Sequence, residues 1–355
     1  MKSQETKLRN LIRKEVRSAL HETSRPKKRS LVSMIFEDAS PDIQAAYKGG
    51  PAAVRALANS AKDKEDLKAS LQGDFDQEKS DDVVEIGGGS KSVGSLLPTQ
   101  SEIDLVKSIG WPLGDVKTLE KMITTGTSTA PGTITISGNL VIDGHHRWSG
   151  IWSVSGPSGT VAVDDLKLPG GSTAQQLAAA QLAIAAYKPA DSTQPAAAEP
   201  IELNILGKSP EAIEKDILGA EGQKDPKAPG AILNPKYLEG CANSETVADW
   251  AGFNVGDDIE TVKSAVVKKV ASNLATLPKN DEAPARADMP QFDHDDIGGK
   301  KAKADIMKGL KSGEFNVAPP FGPEGGGEGK KKQESRFTSG TVMVERWQKL
   351  AGIIK

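Results

Sequence analysis

A single cysteine, Cys241, occurs in 355 residues, which excludes a disulfide framework and any cysteine-based zinc cluster and suits a reducing compartment. Aromatic residues are scarce at 4% and hydrophobic residues reach 37%, whereas 36 Gly and 21 Pro exceed the usual share, so much of the chain reads as turn and linker. No run of 18 apolar residues occurs, so no membrane-spanning helix and no membrane partner are expected. Residues 1–19 alternate charged with apolar residues, where a secretory signal would be continuously apolar. Nor does one sign of charge dominate: 45 Lys+Arg face 48 Asp+Glu, a net charge of -3. That balance excludes a polyanion binder acting through overall charge, so any such contact has to be local. The expectation is an intracellular protein of one or two compact units with tails.

What is present changes texture along the chain. Residues 1–30 space Leu8, Leu11, Ile12, Val16, Ala19 and Leu20 along one face of an amphipathic helix and carry ten Lys or Arg against three Glu. This basic arm, Lys2 to Arg29, suits nucleic acid or another anionic surface, and equally a helix that docks on protein. Residues 31–82 read as helical pieces followed by an acidic, polar linker. Between 83 and 188, short β-type runs at 83–86, 133–137, 140–142 and 160–163 alternate with turns. The last helix of that stretch opens with a capping box, Ser172 and Gln175, and runs through Ala-rich sequence to Tyr187. With linkers on both sides, 83–188 is the expected compact domain, able to fold alone.

Residues 189–200, rich in Ala and Pro, read as a linker. Residues 201–277 read as a helical module whose clearest helix aligns Ile259, Val262, Val266, Val270 and Leu274, with Asp257 and Glu260 in capping-box spacing. Residues 278–335 read as a flexible segment from their composition. Residues 336–355 read as a last amphipathic helix with Met343, Trp347, Leu350, Ala351 and Ile354 on one stripe. The fold class expected is α+β: a small α/β domain, a C-terminal helical module and flexible, helix-tipped tails.

One heptapeptide carries chemistry, Val141-Ile142-Asp143-Gly144-His145-His146-Arg147, where two of the four histidines stand side by side between a β-type run and a helical start. A glycine at a strand-to-helix turn lets backbone approach a ligand, and the first amide groups of a helix attract anions. His145, His146 and Arg147 add directed donors, the arginine with a fork that matches phosphate oxygens. The site expected is therefore a phosphate site, with Asp143 placed to orient a histidine or to hold a Mg²⁺ that a nucleotide brings. Other signals are poorer. No P-loop is present, Gly87-Gly88-Gly89-Ser90-Lys91-Ser92 reads as a flexible linker, and Phe292-Asp293-His294-Asp295-Asp296 reads as a solvated polar stretch with no metal assigned. Trp148 and Trp152, one helical turn apart, read as a core pair in preference to a base-stacking platform.

The pentapeptide Asp143-Gly144-His145-His146-Arg147 resembles the phosphate-binding turn of the ParB/sulfiredoxin superfamily, in the form found in free-serine kinases and in phage proteins labelled ParB-like. The resemblance covers roughly residues 83–188, under a third of the chain. It implies a ParB/sulfiredoxin-like fold, ATP or ADP with Mg²⁺ as cofactor, and Asp143, Gly144, His145, His146 and Arg147 as nucleotide-binding residues. It also implies catalytic roles for His145, His146 and Glu102, the last matched through the loop 96–103 as the base of a phosphotransferase, phosphohydrolase or nuclease-like activity. His145 stands where sulfiredoxin carries its cysteine, and Cys241 lies outside the matched region, so thiol chemistry is not implied; nor is plasmid partitioning, since no helix-turn-helix follows.

Structural readings stand beside each of these: Glu102 and Asp104 as capping residues, the histidines as groups bonded to backbone, and a phosphate pocket retained without turnover. A reading of another class is a phage virion or packaging component in which this domain is an assembly module. It would act in the host cytoplasm or the virion, with phage structural proteins bound through the terminal helices.

Overall fold

The glycine-rich run 87–92 is a strand, not a linker. In the computed structural model, which describes residues 41–60, 83–127, 132–187, 196–197, 199–219, 233–291 and 300–317, it forms β1 (Ile86–Ser92). β1 pairs antiparallel, without a break in register, with β5 (Thr160–Leu166). β5 buries Val161, Val163 and Leu166, so the apolar side chains sit on the inner strand and the glycines on the edge need supply none. The mixed sheet continues through β3 (Ile134–Ser137), β4 (Leu140–Asp143) and β2 (Leu97–Pro98), in the order β1-β5-β3-β4-β2. β3 runs parallel to β5 and β4 parallel to β2, while β3 and β4 form a hairpin across Gly138-Asn139. Gly138, at φ 63°, takes the left-handed conformation such a tight turn needs. The class is α+β.

Helix α1 (Pro41–Ser60), bent at Gly50, packs on the Ala-rich α5 (Thr173–Tyr187). α5 opens with the capping box read from sequence: the Gln175 amide donates to Ser172 Oγ at 3.3 Å and Gln175 Oε1 accepts the Ser172 amide at 3.3 Å. Between β2 and β3 lie α2 (Leu105–Gly110) and α3 (Val116–Thr125), and α4 (His145–Ser155) follows β4. Trp148 and Trp152 of α4 are a buried edge-to-face pair with centroids 5.5 Å apart, as the core reading has it.

The stretch 201–277 does not stand apart from the sheet. It folds into α6 (Pro210–Gly219), α7 (Pro235–Ala242), α8 (Glu245–Ala251) and α9 (Ile259–Leu274). One continuous core runs from Val93 through Trp148 and Trp152 to Val262, Val266, Val270 and Leu277. Across that contact Trp152 Nε1 donates to Thr276 Oγ1 at 2.9 Å, Trp250 Nε1 to the Val154 carbonyl at 2.9 Å, and Asn273 Nδ2 to the Ser153 carbonyl at 2.9 Å. The cap of α9 is Asp258 and not Asp257, whose carboxylate accepts the Asn254 amide instead.

The described part of 278–335 is likewise built in, against the reading of a flexible segment. A strap, 278–291, contains a 3-10 turn (Arg286–Asp288) and β7 (Pro290–Gln291), which pairs with β6 (Ala196–Ala197) inside the stretch read as a linker. α10 (Lys300–Ser312) follows, and its Leu310 carbonyl accepts the Val84 amide at 3.0 Å. Long-range pairing of this kind leaves no local pattern, which is why composition suggested looseness. No helix among the described residues is long and apolar enough to cross a membrane. The basic arm 1–30, the stripe 336–355 and the polar stretch 292–296 lie outside the described residues.

Candidate functional site

The hairpin β3–β4 loses its regular register next to the motif: Ile136 faces Val141 but Thr135 faces Asp143, so Ile142 is the extra residue. A bulge of this kind turns the strand end, here directing Asp143 and Gly144 away from the sheet. Gly144 then adopts φ 94°, and a Cβ on it would stand 2.7 Å from Ile134 Cγ2, so both conformation and space demand glycine. As N-cap of α4 it has no side chain to offer the first amide groups of the helix. The opposite wall is held just as closely. A Cβ on Gly150 would meet Trp111 Nε1 at 2.5 Å, and that indole N–H donates to the His146 carbonyl at 3.4 Å.

These elements enclose a cleft of about 450 Å³ lined by Gln100, Trp111, Asp143, Gly144, His145, His146, Arg147 and Arg286. Five of the eight are the residues expected from sequence. Gln100, Trp111 and Arg286 were missed. Gln100 lies within the loop 96–103, two residues before Glu102, and nothing in the sequence around Trp111 or Arg286 ties them to the motif.

His145 is a buried, neutral acceptor. Its Nε2 receives the Thr99 amide at 3.1 Å, and since an amide can only donate, the ring proton sits on Nδ1. Burial pushes its pKa down to about 3, helped by the neighbouring His146 and Arg286 charges, while a hydrogen bond to the Val141 carbonyl works the other way. His146 is pushed down to about 4, again chiefly by burial, then by the Lys107 charge, with Asp104 opposing. Its Nε2 is buried without a hydrogen-bond partner, and so is Gln100 Oε1 on the same cleft. Buried polar atoms usually have partners, so two unpaired ones in one cleft mark where a ligand or water would bond.

Arg147 donates one terminal nitrogen to the Thr133 carbonyl at 2.6 Å. Arg286 is fixed through Nε on the Glu199 carbonyl at 2.6 Å. No carboxylate among the described residues pairs with either guanidinium.

Glu102 does not line the cleft. Its Oε2 accepts the Ile201 amide at 2.7 Å, a structural duty, and Asp104 caps α2 by accepting the Lys107 amide at 3.1 Å. Among the described residues, Asp143 is the one carboxylate on the cleft wall, and there is no cluster of three or more metal-ligating side chains. A Mg²⁺ would therefore fit here only as one carried by a ligand's phosphates and held by Asp143. Cys241 is buried between helices, and burial pushes its thiol up to about 11, far from a reactive thiolate.

A second, shallower groove of about 740 Å³ runs beside α8 and α9, lined by Ser264, Lys268 and Lys269 among others, and it brings together no buried polar groups. No family model, curated protein or solved structure matches this chain.

Proposed function

We propose that the protein binds a phosphate-bearing ligand of nucleotide type, ATP or ADP with Mg²⁺, at the turn formed by Asp143, Gly144, His145, His146 and Arg147. The observation that carries this reading is the meeting, in one cleft, of an uncapped helix start with two guanidinium groups that no described carboxylate neutralises. A partly buried cation without a counter-charge costs free energy, and an anion seated in the cleft reduces that cost while bonding to the free amide groups at the start of α4. The resemblance of the pentapeptide to ParB/sulfiredoxin domains points the same way.

Binding without turnover is the form the geometry supports best. Glu102 is spent on Ile201, His145 on Thr99, and His146 with a pKa of about 4 is a weak base at neutral pH. The test is calorimetry of the full chain with ATP and ADP, with and without Mg²⁺, beside a phosphate-release assay. Arg147→Ala is expected to remove one charge-assisted contact of about 1.5–3 kcal/mol and weaken binding about ten- to a hundredfold. Glu102→Gln is expected to leave affinity unchanged. Phosphate release by the wild type that Glu102→Gln abolishes would reinstate the enzyme; absence of binding at millimolar nucleotide would leave the assembly-module reading.

A further inference from the structure

Arg286 comes to the cleft from the strap 278–291, far along the chain from the turn and outside the region of resemblance. Resting on the phosphate-binding reading above, we propose that Arg286 is the second anion-binding residue of this cleft and that the strap makes the site select ligands carrying two linked anionic groups, of pyrophosphate type, over a single phosphate.

The two arginines are held differently. Arg147 stands in the first turn of α4 and has one terminal nitrogen on the Thr133 carbonyl. Arg286 stands in the 3-10 turn of the strap and has Nε on the Glu199 carbonyl, which leaves both of its terminal nitrogens without a partner among the described residues. Each is anchored by a different backbone carbonyl on a different element, so the cleft is lined by two separately held guanidinium groups. Two linked anionic groups meet both fixed positions at once, and two like charges facing one cleft favour such a ligand. That Arg286 depresses the pKa of both His145 and His146 agrees with its place beside the turn.

The strap is built to hold this position. Asn280 Nδ2 donates to the Pro98 carbonyl at 2.9 Å and to Thr173 Oγ1 at 3.1 Å. Glu282 Oε2 accepts the Thr173 amide at 3.2 Å and its hydroxyl at 3.1 Å. Arg55 of α1 donates to the Ala287 carbonyl, and β7 pairs with β6. Pro98 precedes Thr99, which binds His145, and Gln100, which lines the cleft, so the strap is fastened to the same wall the motif uses. Asn280 is thus a positioning residue for Arg286.

The experiment compares orthophosphate with pyrophosphate by calorimetry on the full chain, for the wild type, Arg286→Ala, Arg286→Lys and Asn280→Ala, with melting curves to confirm that each variant is folded. The wild type is expected to bind pyrophosphate at least about tenfold more tightly than orthophosphate. Arg286→Ala should weaken pyrophosphate about ten- to a hundredfold and leave orthophosphate within about threefold. Arg286→Lys should fall between, keeping the charge and losing the fork, and Asn280→Ala should lower the ratio of the two affinities without touching the ligand. Equal affinity of the wild type for the two anions, or equal weakening of both by Arg286→Ala, would overturn the proposal and leave the phosphate site standing. Binding of neither anion would remove the phosphate reading itself, and this proposal with it.

Discussion

His145 shows how little a residue's type says about its task. Its position after Gly144 suggests a donor to phosphate, yet its Nε2 is occupied by an amide 46 residues earlier in the chain, Thr99, a pairing no local pattern announces. Gly144 is the opposite case: a glycine between a β-type run and a helical start is legible as a special backbone position, and both φ and the close approach of Ile134 bear that out.

Both histidines hold their proton more weakly in the folded chain than the ordinary value of 6.5, so as pH falls the unfolded chain takes up protons first. Stability from this source is therefore complete above about pH 6.5 and is lost as pH falls towards about 4 and then about 3. His145→Asn, whose amide oxygen can still accept from Thr99, should show a smaller drop in melting temperature between pH 7.5 and 5 than the wild type; equal drops would mean His145 is not buried neutral. Gly144→Ala should destabilise by about 1–3 kcal/mol through its positive φ, with the Ile134 contact adding to that, and should abolish anion binding, as read by urea unfolding and calorimetry.

Among the elements, α5 was legible from its capping box and Ala-rich run and α9 from a cap joined to an apolar periodicity, and even there the cap of α9 lies one residue on, at Asp258. β1 was not legible: its glycines lack β propensity and gain their order from pairing with β5. Helix α4 links the site to the core, since one face carries the site and another is buried against α9 and the residues after it through Trp152 and Asn273. Leu274→Ala, deep in that shared core, should cost about 2–5 kcal/mol by chemical denaturation. A fragment of residues 83–188, which sequence alone would offer as an independent domain, should fail to give a cooperative thermal transition, because it exposes the faces of Trp152 and Val154 that 201–277 covers. A sharp transition with native near-ultraviolet dichroism in that fragment would show that the shared core is dispensable.

At the scale of the whole molecule, the motif is local but the site is not. Five of the cleft's residues come from one turn, and the others arrive from the β2–α2 loop, the end of α2 and a strap read as loose from its Pro and Asp content. Assembling them takes the β6–β7 pairing and the Asn280 and Glu282 anchors, all long-range and therefore silent in the sequence. The proposed site seats an anion against the start of α4 between Arg147 and Arg286. The most direct measurement is a titration of the isotopically labelled full chain with pyrophosphate, followed by nuclear magnetic resonance. The largest shifts are expected at the Gly144, His145 and His146 amides and at the Arg147 and Arg286 guanidinium signals. Largest shifts at Lys268 and Lys269 in the α8–α9 groove, or none at the turn at saturating ligand, would contradict it.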